Sequence, residues 1–245
     1  MTQPPLSQWR RSPTLVRVVP FVIFVALTAG QGQFGEGSRY WFYLLKTVVG
    51  AGLVWAVRPY IAELRWKLTW EAVVIGVGIF VLWVGLDGLY PSTERLLKGL
   101  LCPAARHLGL AKWCAEPTTQ LVPWNPLSQF APALGWTFVL VRLFGSTLVV
   151  PPLEEVFYRS FLYRYIARPA FDSLPLSYFA WTPFLITAAI FGFSHYEWLP
   201  GILCGMLYQT LVIRKDRLGD ALSAHAITNF LLGLWIIWKG AWHFW

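Results

Sequence analysis

The sequence predicts an all-α fold, a polytopic membrane helix bundle of about seven to eight transmembrane helices. Three observations predict it. Hydrophobic residues make up 56% of the 245 residues and charged residues only 13%, against about 25% charged in ordinary soluble domains. The apolar residues fall in several long runs, each near the roughly 20 residues that cross a bilayer. Aromatic residues crowd the ends of these runs, at Tyr40, Trp41, Trp136, Trp181, Trp198 and Trp245, where interfacial belts are expected. The alternating ten-residue strands of an outer-membrane barrel are not visible.

The first apolar run covers residues 16–30 and follows basic residues. It has no clear small-residue cleavage site, so it reads as a retained helix. Runs at 40–57 and 72–90 follow, and then one long connection at 91–133, rich in proline, with room for a short interfacial helix at 93–108. Further apolar runs cover 134–150, 178–194, 199–213 and 221–238. Between the first two of these lies 152–168, which reads as a separate helix. Pro151 and Pro152 suit a helix start, Glu154 and Glu155 suit its first turn, and Arg164 and Arg168 suit its last. It is either an amphipathic helix at the interface or an eighth membrane helix.

The formal net charge of +8 would raise nucleic acid as a partner in a soluble chain. Here the cations cluster at run ends, as in Arg10, Arg11 and Arg17, and in Arg214, Lys215 and Arg217. Membrane lipid headgroups are therefore the expected partner, and nucleic acid is not. Cys102, Cys114 and Cys204 have no metal-ligand spacing. The first two share the long connection and can pair only in an oxidising compartment.

Three polar groups interrupt the apolar runs, where ionisable residues cost roughly 2.5 to 3.5 kcal/mol or more and point to function. Glu155 and Arg159 are spaced i, i+4 and can pair on one face. Glu154 points about 100° away and is left free of that arginine. His195 ends the run at 178–194, one turn after Phe191, and His225 and Asn229 share one face of the last run. Each group alone has a structural reading, as a helix cap or as polar glue between helices. Together they supply a base, partners that tune it, and donors for a developing oxyanion.

"EEVFYR" matches EExxxR, "FGFSH" matches FxxxH and "HAITN" matches HxxxN, in that order. The set resembles the CAAX protease and bacteriocin-processing family of intramembrane glutamic endopeptidases, related to type II CAAX prenyl proteases. The resemblance covers the chain from Leu134 onward. It implies a catalytic core at 134–245, after N-terminal helices and the long loop at 1–133. It also implies that Glu154 activates a water with help from His195, that His225 and Asn229 hold the oxyanion, and that Glu155, Arg159 and Phe191 support them. No cofactor is implied. One departure stands out, because many members place glycine after the motif arginine and this chain has Ser160.

The implied function is cleavage of membrane-associated or lipid-modified protein or peptide precursors, either CAAX-type processing or maturation of bacteriocins or surface proteins. The expected location is the inner cell membrane of a prokaryote, with several passes through it. A zinc endopeptidase using Glu154, His195 and His225 is the competing chemistry, though the sequence has no HExxH and asparagine is a poor zinc ligand. Proton relay or transport predicts an inverted repeat, and none is visible. A membrane scaffold or immunity protein that keeps the fold without catalysis is the remaining alternative. The protease reading carries a condition. His195 meets Glu154 only if the helix bearing Glu154 runs through the bilayer.

Overall fold

In the computed structural model, residues 12–107 and 123–245 are described. They contain eight helices and no strand. Helix α1 (Pro13–Ala29) is capped by Ser12, whose side chain accepts from the Leu15 amide, and it begins at a proline that needs no partner there. Helix α2 (Ser38–Val57) leads through a short 3-10 turn to a loop, and Thr69 caps α3 (Trp70–Gly85) through the Ala72 amide. The amphipathic α4 (Thr93–His107) lies within one residue of the interfacial helix expected from the sequence. Then come α5 (Pro132–Ala167), α6 (Trp181–Phe193), α7 (Trp198–Lys215) and α8 (Gly219–Lys239).

Three helices are long and apolar enough to cross a membrane, namely α2 with its 3-10 turn, α5 and α8, while α1, α3 and α6 are shorter apolar helices. The outward faces are themselves apolar. Val22, Val48, Val74, Leu148 and Ile190 are exposed, and Trp55, Trp70, Trp181 and Trp238 stand exposed near helix ends. A surface of this kind is stable in lipid, with aromatics at its borders. The chain is a membrane protein.

Residues 134–150 and 152–168 are not two elements. They form the single 36-residue helix α5, so Pro151 and Pro152 sit inside a helix and Glu154 and Glu155 are far from its N-terminus. A helical proline lacks an N–H and crowds the carbonyl four residues back, here those of Thr147 and Leu148. Both residues lie in a π-helical stretch, Gly145–Val149, whose wider turn lets the helix pass over the prolines. A second π stretch, Val156–Leu162, follows the acidic pair. Such widenings occur frequently at functional sites.

This continuity meets the depth condition. Thirteen residues of α5 follow Glu154, and α6 is 13 residues long. The two run antiparallel. Near the loop between them the Tyr163 hydroxyl donates to the Tyr178 carbonyl and accepts from the Ala180 amide, and a helix length away Tyr158 packs edge-on against Phe191 at 5.0 Å. Helix α6 therefore carries His195 back to the level of Glu154.

Close helix approach holds the site together. A Cβ on Gly201 of α7 would lie 2.9 Å from the Gly192 Cα of α6, and a Cβ on Gly76 of α3 would lie 2.7 Å from the Ala224 carbonyl of α8. Small residues let backbones meet in this way inside a bilayer. Across the second contact, Tyr208 donates to Thr228 (2.7 Å) and Thr228 to the Gly76 carbonyl (2.9 Å).

Three further expectations change. Arg17 does not face headgroups but is buried against Glu63, as described below. Tyr40 is fully buried against Trp124 and Phe138, and Trp245 packs inward on Trp124, because the N-terminal ends of α2 and α5 share a second aromatic core. Arg10, Arg11 and Cys114, and with it the Cys102 to Cys114 pairing, lie outside the described residues.

Candidate active site

Adjacent glutamates on α5 have different surroundings. Glu155 is fully buried, with Arg159 Nε 3.2 Å from its Oε2 and His225 Nδ1 2.9 Å from its Oε1. Arg159 is itself buried, its guanidinium 4.3 Å above the Phe191 ring. Glu155 thus joins α5 to α8, a contact the motif spacing alone did not reveal. Glu154 faces a cavity of about 510 Å³. Among the described residues it has no lysine or arginine partner, and His225 Nε2 lies 3.9 Å from its Oε2.

The histidines are oriented by different anchors. His225 gives Nδ1 to Glu155 and stacks on Tyr208 at 5.3 Å, which turns Nε2 toward Glu154. His195 has Nδ1 2.7 Å from the Phe191 carbonyl. A carbonyl only accepts, so Nδ1 carries the proton and Nε2 holds the lone pair. The Phe191 ring packs 4.7 Å from the imidazole, and Trp83 meets it edge-on at 5.6 Å. Ser194 donates to the same Phe191 carbonyl and receives the Tyr158 hydroxyl at 3.3 Å, linking α5 to the end of α6.

Asn229 donates through Nδ2 to the Ser146 carbonyl at 2.8 Å. Ser146 lies in the first π stretch, so the same widening that admits the prolines also offers a carbonyl to α8. One Nδ2 hydrogen of Asn229 remains for another acceptor. Glu154, His195, His225 and Asn229 all line the one cavity, whereas Glu155 and Arg159 lie behind its wall. Among the described residues no three His, Cys, Asp or Glu side chains are grouped as a metal-ligand set.

Ser160, the departure from the motif, has a partner on every side. Its hydroxyl donates to Glu63 Oε1 in a short contact and accepts from Arg17 Nε (2.8 Å) and Arg164 Nη2 (3.1 Å). Glu63 also pairs with Arg17 at 2.6 Å. Burial pushes the Glu63 carboxyl up, but Arg17 and the Ser160 hydroxyl outweigh it and hold the carboxyl below its usual range. The cluster ties α1 and the loop before α3 to the helix carrying Glu154.

Ser160→Ala is expected to cost about 1 to 3 kcal/mol, through loss of a buried hydroxyl bonded to charged groups, seen as a lower Tm. Because the folded Glu63 carboxyl titrates below its unfolded value, the stability it adds is fully present above about pH 4.3 and is lost as pH falls through the folded value. The Tm gap between wild type and Glu63→Gln should therefore narrow on acidification.

Residues 135–231 match a family model described as Type II CAAX prenyl endopeptidase Rce1-like. The matched span contains Glu154, Glu155, Arg159, His195, His225 and Asn229, and leaves out Arg17 and Glu63. Neither the curated proteins nor the solved structures contain a match to the chain.

Proposed function

Since residues 135–231 belong to the Rce1-like family of type II CAAX prenyl endopeptidases, a family of proteases, we propose that the chain is a multi-pass intramembrane endopeptidase using Glu154 to activate water. Its substrates are membrane-associated or lipid-modified protein or peptide precursors, matured by CAAX-type cleavage or in the manner of bacteriocins and surface proteins. Its place is the inner cell membrane of a prokaryote. One observation carries the mechanism. Arg159 is engaged by Glu155, whereas Glu154 has no lysine or arginine partner among the described residues and faces the cavity beside His225.

The 3.9 Å between His225 Nε2 and Glu154 Oε2 is too long for a direct hydrogen bond, while a water about 2.8 Å from each atom fits beside them. Glu154 takes a proton from that water as its oxygen attacks the scissile carbonyl carbon. The lone-pair nitrogen of His195 helps to orient it. His225, when it carries a proton on Nε2, and the free N–H of Asn229 face the oxyanion that forms. Collapse breaks the C–N bond, and the proton held by Glu154 passes to the departing amine. We propose that this chemistry needs no metal.

The test compares membrane peptides from cells carrying wild type and Glu154→Gln. Precursor fragments should disappear in the variant, and identical peptide profiles would overturn the protease reading. With a cleaved precursor in hand, activity should survive a chelator. Activity lost to the chelator and restored by zinc would replace the metal-free mechanism.

A further inference from the structure

The bundle has two ends, and hydrogen bonds between its connections define them. At one end the segments 58–69, 168–180 and 216–218 come together. The Lys67 amide donates to the Gly219 carbonyl at 3.2 Å, the Thr69 hydroxyl to Asp220 at 2.7 Å and the Ser177 amide to Asp216 at 2.7 Å. At the other end the Thr93 hydroxyl donates to the Tyr196 carbonyl at 3.3 Å, the Trp198 ring N–H to the Pro91 carbonyl at 2.8 Å, and His243 meets Asp87 at 3.1 Å. This second end gathers the start of α4, the turn between α6 and α7, and the segment after α8.

The cavity that receives Glu154 belongs to the second end. Its lining includes His195 and Glu197 of the turn, and His243 and Trp245 after α8, but no residue of the connections at the first end. The first end is closed. Arg17, Arg164 and Asp220 are buried there, held by Glu63, Ser160 and Thr69. A peptide and the attacking water therefore reach Glu154 from the cavity end.

Cations divide unequally between the two ends. Arg58, Arg65, Lys67, Arg168 and Arg217 lie in the connections of the closed end, with Arg164, Arg214 and Lys215 in the last turns of the helices that lead to it. At the cavity end the segments 30–37, 194–197 and 240–245 contain no lysine or arginine. Arg39 and Lys239 stand at helix termini there, and Arg95, Lys98, Arg106 and Lys112 are spread through the long connection. These temper the bias without reversing it. Lysine and arginine next to membrane helices are retained on the cytoplasmic side, and nearby acidic residues count for little, so the pairs with Glu63 and Asp220 do not cancel the signal. A second observation is independent of charge. Cys102 of α4 is disulfide-bonded, and α4 is tied to the cavity end through Thr93. Disulfides persist in oxidising space outside the cytosol and are rare within it. Both observations put the closed end in the cytoplasm and the cavity end outside.

We infer that the cavity opens on the outer face of the membrane, so that its substrates are membrane-tethered precursors whose cleaved segment has already been exported. Segments tethered to the cytoplasmic leaflet, prenylated termini among them, meet the closed end. This deepens the endopeptidase reading and rests on it for the substrates. The orientation itself is measured without turnover.

The test labels the full chain in bacterial spheroplasts with a sulfonated maleimide that does not cross the membrane. Gln33→Cys and Gln129→Cys place a thiol at the cavity end, and Ser173→Cys and Ser177→Cys at the closed end, all at exposed positions. Cys204 is buried and Cys102 disulfide-bonded, and the wild-type chain supplies the background. The two thiols at the cavity end should label as fully before lysis as after it, and the two at the closed end only after lysis. Two positions at each end keep the result readable if one variant folds poorly. The reverse pattern, equal label at both ends, or a cavity end protected until lysis would overturn the orientation. Precursors that accumulate with Glu154→Gln should then be cut by proteinase K added to intact spheroplasts, and resistance of all of them would overturn the substrate class. Labelling as expected beside identical peptide profiles for wild type and Glu154→Gln would keep the orientation and lose the protease, its substrates with it.

Discussion

Glu154→Gln is expected to leave the chain folded and to lower peptide turnover about 100- to 10,000-fold, the share that a positioned general base supplies. The expectation follows from the contrast between neighbours. Glu154 borders the cavity, its side chain 15% exposed, and carries no lysine or arginine on its oxygens among the described residues. Glutamine keeps the shape and removes only the capacity to take a proton. Single-turnover kinetics with a membrane precursor, run beside a thermal melt, would read both halves of the expectation. A variant with a wild-type rate would remove Glu154 from the chemistry.

Glu155→Ala should do the reverse and act first on stability. It takes the carboxylate from between Arg159 and His225, which lie 3.2 and 2.9 Å from it and are almost fully buried. Removing one partner of a buried ion pair typically costs about 3 to 5 kcal/mol, because the other charge is left behind. The melt should shift by many degrees, and activity should fall because His225 has lost its anchor. Glu155→Gln, which still accepts a hydrogen bond, should fold better than the alanine variant and restore part of the activity. If both variants melt with wild type, Glu155 carries no such load.

The candidate residues were legible because each motif is confined to one helix or to the turn that ends it. Four-residue spacings put Glu155 beside Arg159, Phe191 beneath His195, and His225 on the face of Asn229 whatever the surrounding fold. The helix boundaries near them were less legible. A double proline usually opens a helix, and only a widened turn lets one lie inside it, which composition does not signal. Contacts between helices were least legible of all. Arg17 looks like a headgroup contact until Glu63 and Ser160 are placed around it, 46 and 143 residues further along the chain.

Helix α6, with 13 residues, and α3, with 16, are about 20 and 24 Å long, against a hydrocarbon layer of about 30 Å. Lipid meeting such short helices thins locally to match them. A headgroup boundary drawn toward the end of α6, beside His195, would leave the water of the proposed reaction less oil to cross. For the proposed protease, hydrolysis at this site would be tied to the acyl-chain length of the surrounding lipid, which would make the bilayer a participant in setting its rate.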